Sequence, residues 1–142
     1  MVKVSTLLCF DFGLSNIGVA VGNTLTREAR PLVVLDAHHG KPNWDRVGAL
    51  IIEWSPSSIV VGSPIDEAGE STALSEKAAR FARQLEGRFR LPVILYDERF
   101  SSKEAKLRAK EAGHNGNYFK SPVDDLAAAV ILESWLRTQM NG

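Results

Sequence analysis

Three acidic spots stand apart in this 142-residue chain. Asp11 interrupts the apolar run LLCFDFG, the pair Asp97–Glu98 marks the point where PVILY gives way to DER, and Asp124–Asp125 sits in SPVDDLAAAV. An isolated carboxylate in an interior strand is costly to desolvate unless it gains a partner or a metal ion. Clustered carboxylates repel and raise one another's pKa until a cation neutralises them. Hard oxygen donors of this kind select Mg²⁺ or Mn²⁺. Two such ions, about 3.5–4 Å apart, can activate a water and stabilise the leaving oxygen of a phosphodiester. Taken singly, each acid has a plainer account: a turn hydrogen bond for Asp11, an ion pair with Arg99 for Glu98, and a complement to a helix dipole for Asp124. Residue type alone leaves either member of each acidic pair as the ligand.

The elements around these acids can be read from hydrophobic period and punctuation. Leu7–Phe12 and Ile17–Val21 read as adjacent interior strands joined by the turn Gly13–Asn16. RPLVVLDA (Arg30–Ala37) is a third strand. PNWDRVGALIIEW (Pro42–Trp54) places Val47, Leu50, Ile51 and Trp54 at helical spacing behind an Asn43 cap. SSIVVGSP (Ser57–Pro64) is a fourth strand stopped by Gly62 and Pro64, and Ser71–Phe89 is a helix with Leu74, Ala78, Phe81, Ala82 and Leu85 inward. Leu91–Glu98 is a fifth strand. Ser101 and Glu104 form a capping-box pattern for a helix to about Ala112. Ser121 and Pro122 open the last helix, to Gln139. The order β-β-β-α-β-α-β-α-α predicts one α/β domain over residues 1–142. Its five-stranded mixed sheet has three antiparallel-connected strands, then β-α alternation, with helices on both faces. If strands one, four and five are parallel neighbours, all three acidic spots fall at one edge of that sheet, where substrates of such folds gather.

Bulk properties narrow the class. A hydrophobic content of 44% and a charged content of 24% are ordinary for a globular protein. No apolar run approaches a membrane span, and MVKVSTLLCFDF has no signal-peptide pattern, so a cytoplasmic location is expected. The single cysteine, Cys9, lies in the first strand and reads as buried and inert. Net charge is +0, yet residues 1–76 hold 5 Lys/Arg against 9 Asp/Glu, and residues 77–142 hold 12 against 8. A basic face in the second half suits phosphate backbone contact, although a solvated helix surface has the same composition.

The segments LLCFDFGLSNIGVAVG, ARPL, IVVGSP, DERFSSKEA and VDDLAAAVILESWL, in that order, resemble the YqgF/RuvX family from about Leu7 to Leu136. The resemblance implies a ribonuclease-H-like fold and a metal-dependent nuclease. That family has long been labelled a Holliday junction resolvase and is better supported as maturing the 5′ end of 16S ribosomal RNA. By resemblance, Asp11, Glu98 and Asp124 match the family's acidic positions, and Asp125 stands where a small polar residue often follows. Two Mg²⁺ or Mn²⁺ ions, an RNA partner and contact with pre-ribosomal particles are implied, with a monomer or weak dimer as the acting form.

Candidate nucleic-acid contacts are Arg99, the helix N-terminus at Ser101 and Ser102, and the stripe Lys103, Lys106 and Lys110. The loop GHNGNYFKS adds His114, Tyr118 and Lys120, with an aromatic ring able to stack on a base. Three other readings compete. A branched-DNA resolvase would need a two-fold dimer presenting two sites. The hairpin DFGLSNIGVAV also resembles that of actin-like ATPases, which need a second lobe absent at this length. A non-catalytic RNA-binding assembly factor would use the basic half alone.

Overall fold

The computed structural model describes residues 4–64, 68–98 and 123–139, with side chains of the last segment from residue 126 onward. Its central element is β1 (Thr6–Asp11), six residues of which Leu7–Phe10 are fully buried. β1 pairs antiparallel with β2 (Asn16–Asn23), and β2 antiparallel with β3 (Ala29–His38). After β4 (Lys41–Pro42) and α1 (Trp44–Trp54), β5 (Ser58–Ser63) lies parallel to β1 on its other side. α2 (Ala73–Phe89) then returns the chain to β6 (Val93–Asp97), parallel to β5, and α3 (Val123–Thr138) ends the described fold. The sheet order is β4-β3-β2-β1-β5-β6. The parallel β1-β5-β6 neighbourhood required to gather the acids is therefore present.

The sheet has six strands where the sequence suggested five. Lys41 and Pro42 pair with His38 and Ala37 as a two-residue edge strand, whereas the sequence reading placed Pro42 in the helical segment, just ahead of its Asn43 cap. Proline tolerates an edge position because it has no N–H to offer a further strand. The helix starts one residue after its cap: the Asn43 side chain accepts from the Asp45 N–H at 2.9 Å.

Strand alternation sends the bulky residues Leu8, Phe10, Ile17, Val19, Ile59 and Val61 to one face, where α1 and α2 cover them. Phe81 of α2 packs edge-on to Phe10, with ring centroids 5.8 Å apart. The opposite face carries smaller groups, Cys9, Ala20 and Val60, against Ala128, Ala129, Ile131 and Leu132 of α3. Glycine permits that close approach. A Cβ on Gly22 would meet the Glu28 carbonyl oxygen at 2.8 Å and Leu132 Cδ2 at 3.0 Å.

Two polar contacts fix the azimuth of α3 on this face. The Ala29 N–H donates to Glu133 Oε2 at 3.0 Å, and the hydroxyls of Tyr96 and Ser134 are 2.8 Å apart. One ties the helix to β3, the other to β6. Replacing Tyr96 by Phe is expected to cost about 1 kcal/mol, and Glu133 by Ala about 1.5–3 kcal/mol because its acceptor is charged. Urea denaturation of each variant checks this, with the slope against denaturant unchanged.

Candidate active site

Asp11 ends β1 on the face that Leu7 and Cys9 occupy, the face covered by α3. Its register partners are Gly18 on β2 and Gly62 on β5. Both neighbours lack a side chain, so the sheet leaves space around the Asp11 carboxylate on either flank. The turn that follows is equally constrained. A Cβ on Gly13 would lie 2.5 Å from the Asn16 carbonyl oxygen. The Ser15 and Leu14 carbonyls accept from the Ala37 and Gly40 N–H groups, both at 2.8 Å. The end of β1 is thus held by the far side of the sheet.

Glu98 arrives from β6. Ile94 and Tyr96 pack on the α3 face, and Glu98 continues that alternation one step beyond the strand. A Cβ on Gly62 would stand 3.0 Å from Glu98 Cγ, 3.2 Å from its Cδ and 2.9 Å from Ile131 Cδ1. The Glu98 carboxyl group therefore fills the space that Gly62 leaves, directly beside the register position of Asp11. Asp97 pairs with Ser63 and alternates to the other face, with Val93 and Leu95. Of the two neighbouring acids, the structure brings Glu98 to Asp11.

The electrostatics of Cys9 report the same convergence. Burial pushes its thiol well above the usual cysteine value, and the charges of Asp11 and Glu98 push it further in the same direction. Two carboxylates thus act on one buried atom from β1 and from the end of β6. The thiol stays protonated and unreactive, as its position in the sequence suggested. Its place is structural.

Sequence reading treated Gly62 only as a strand stop. Its role is to make room for Glu98, and the available signal was a glycine inside an otherwise apolar strand, which marks close approach of another group.

Asp124 and Asp125 fall in the first turn of α3, but their side chains lie outside the described residues. The expected contacts Arg99, Ser101, Ser102, Lys103, Lys106, Lys110, His114, Tyr118 and Lys120 also lie outside them. Among the described residues, no group of three His, Cys, Asp or Glu side chains could hold a metal ion. Among the same residues, no helix is long and apolar enough to cross a membrane.

Known proteins resemble the chain at two levels. Solved structures share the fold. The RuvC protein of T. thermophilus in complex with a Holliday junction substrate superposes with a TM-score of 0.57 at 20% identity, covering 96% of each chain. The Fowlpox virus resolvase with Holliday junction DNA superposes with a TM-score of 0.57 at 16% identity, covering 95% of this chain and 99% of that one. These likenesses show that the chain has the ribonuclease-H-like fold expected from its sequence. Sequence relatives are much nearer. A Saccharophagus degradans protein named "Putative pre-16S rRNA nuclease" is 48% identical over 132 residues, 93% of each chain. A Pseudomonas aeruginosa protein of the same name is 50% identical over 130 residues, 92% of this chain and 90% of its own. The family model described as "RuvX: Holliday junction resolvase" matches residues 5–138. With these matches running almost end to end, the chain belongs to the RuvX family.

Proposed function

We propose that this chain is a divalent-metal-dependent phosphodiester nuclease, acting in the cytoplasm on the 5′ end of precursor 16S rRNA, with residues 1–142 as one catalytic domain. The observation that carries the reading is the meeting of Asp11 and Glu98 beside Gly62 at the carboxyl edge of the parallel strands. Two carboxylates on this face would repel unless a cation lies between them. The donors are hard oxygens, and Gly62 leaves room for the Glu98 carboxyl group beside the register position of Asp11, so the residues fit Mg²⁺ or Mn²⁺. When bound, such ions supply an activated water and neutralise charge on the leaving oxygen.

Asp124 is the third ligand in this reading. It precedes Ile131 by seven residues, close to two helical turns, so the helical period puts the two positions on one stripe. Ile131 is the α3 residue that approaches Gly62, whereas Leu132, on the stripe of Asp125, approaches Gly22 on β2. This supports Asp124 over Asp125. In this reading Asp11, Glu98 and Asp124 would hold the cations, which would supply charge neutralisation at the scissile phosphate. Arg99, next to Glu98 in sequence, is the proposed phosphate contact in this reading. RNA is preferred as substrate because the relatives near 50% identity carry the pre-16S rRNA name. The DNA-bound resolvases share only the fold.

The reading is tested with labelled precursor 16S rRNA 5′ leader and a synthetic four-way DNA junction, each in Mn²⁺ and in EDTA. Metal-dependent cleavage of the RNA is expected, falling at least about 100-fold in Asp11→Asn, because a lost ligand removes several kcal/mol of charge stabilisation. Paired nicks in the junction alone would assign the chain to branched DNA instead. Gly62→Ala is expected to impair cleavage as well, since its Cβ displaces the Glu98 carboxyl group. The accompanying overpacking against Ile131 should cost about 1–3 kcal/mol. A Gly62→Ala protein with wild-type turnover would show that Glu98 does not need that space.

A further inference from the structure

The outer face of α2 carries a cationic stripe. Lys77, Arg80, Gln84 and Arg88 follow one another at spacings of three, four and four residues, so they line one side of the helix. All four are exposed, and between residues 73 and 90 five cations oppose only Glu76 and Glu86. That imbalance stands out in a chain of net charge +0. The other flank of α2 is different in kind, with Arg83 and Glu86 bordering a cleft against Val93 and Leu95 of β6.

At its far end the stripe meets aromatic groups. The Arg88 guanidinium lies 4.2 Å from the centroid of the Trp44 ring, which stacks on Phe81 with centroids 5.7 Å apart. Arg88, Trp44 and Phe89 line a groove of about 520 Å³ between α1 and α2, floored by Gly48 and Ala49. Its one acid is Asp45. At the near end, the Thr72 hydroxyl, which caps α2, donates to the Pro64 carbonyl at 3.1 Å, immediately past β5. The stripe therefore starts at the sheet edge that holds Asp11 and Glu98, and runs away from it for roughly 16 Å at 1.5 Å per residue.

We propose that the Lys77–Arg80–Gln84–Arg88 face of α2 binds the phosphate backbone of single-stranded RNA flanking the cleavage point, with a base stacked on Arg88 in the Trp44 groove. The proposal rests on the nuclease reading for its substrate. Cations at these intervals track a phosphate chain without reading its sequence, and arginine guanidinium planes stack on unpaired bases. The site would lengthen the footprint of the enzyme without touching the carboxylates.

The test measures fluorescence anisotropy of a labelled single-stranded RNA of about 30 nucleotides, without added metal, over a range of salt concentrations. The full-length wild type is compared with Lys77→Glu/Arg80→Glu/Arg88→Gln and with Asp11→Asn. Each phosphate contact on single-stranded nucleic acid contributes about 0.7 to the slope of log affinity against log salt. The triple variant should bind at least about 10-fold more weakly, with the slope reduced by about 2. Its circular dichroism should match wild type, and its melting should shift only by loss of the Arg88–Trp44 contact, because the replaced side chains are exposed. Asp11→Asn should bind RNA at least as tightly as wild type. A triple variant that matches the wild type in affinity and slope overturns the α2 proposal and leaves metal-dependent cleavage standing. Failure of the nuclease reading shows separately, as RNA that is bound along α2 but never cut in Mn²⁺.

Discussion

Everything at the acidic edge depends on a steric constraint at one backbone position. Gly62 is flanked in the sheet by Asp11 on β1 and Tyr96 on β6, and covered by Ile131 of α3. Any larger residue there would take the space of the Glu98 carboxyl group. Because β1, β5 and β6 are parallel neighbours, the two acids arrive at that point from chain segments almost ninety residues apart. The cost of bringing two carboxylates together is met by the surrounding fold, which is rigid enough not to relax away from them. The Cys9 thiol is pushed up first by burial and further by the charges of both carboxylates.

The two faces of the sheet divide the labour. The α1–α2 face is filled with bulky aliphatic and aromatic side chains and anchors the fold through Phe10, Phe12 and Phe81. On the α3 face Cys9, Ala20 and Val60 lie beside Leu7, Ile94 and Tyr96, and the helix that covers them is held in azimuth by Glu133 and Ser134. A helix located this firmly at its middle carries its first turn to a defined place, and that first turn contains Asp124 and Asp125. Shape complementarity on one face thus sets how α3 sits against the sheet.

Much of this was legible in the sequence because periodicity carried it. The helix faces of α1 and α2, the Asn43 cap and the five longer strands follow from hydrophobic spacing and punctuation. The strand at Lys41–Pro42 was not legible, since two residues form no pattern and a proline before an apolar helix imitates a helix start. Residue type alone did not choose between Asp97 and Glu98, although the family resemblance pointed to Glu98. Alternation assigns them to opposite faces, but only the cross-strand register of β5 and β6 shows which face holds Asp11. Gly62 was misjudged as a terminator because its reason for being small lies in another strand. Local pattern located the elements, and tertiary register determined which acids meet.

The central claim is that Asp11 and Glu98 together hold a divalent cation. Isothermal titration of Mn²⁺ into the full-length protein, beside Asp11→Asn and Glu98→Gln, tests it most directly. The account predicts saturable binding by the wild type that either substitution weakens at least about 10-fold, with both variants folded. Equal Mn²⁺ affinity in all three proteins would contradict it, and would leave the meeting of these carboxylates without a cation to explain it.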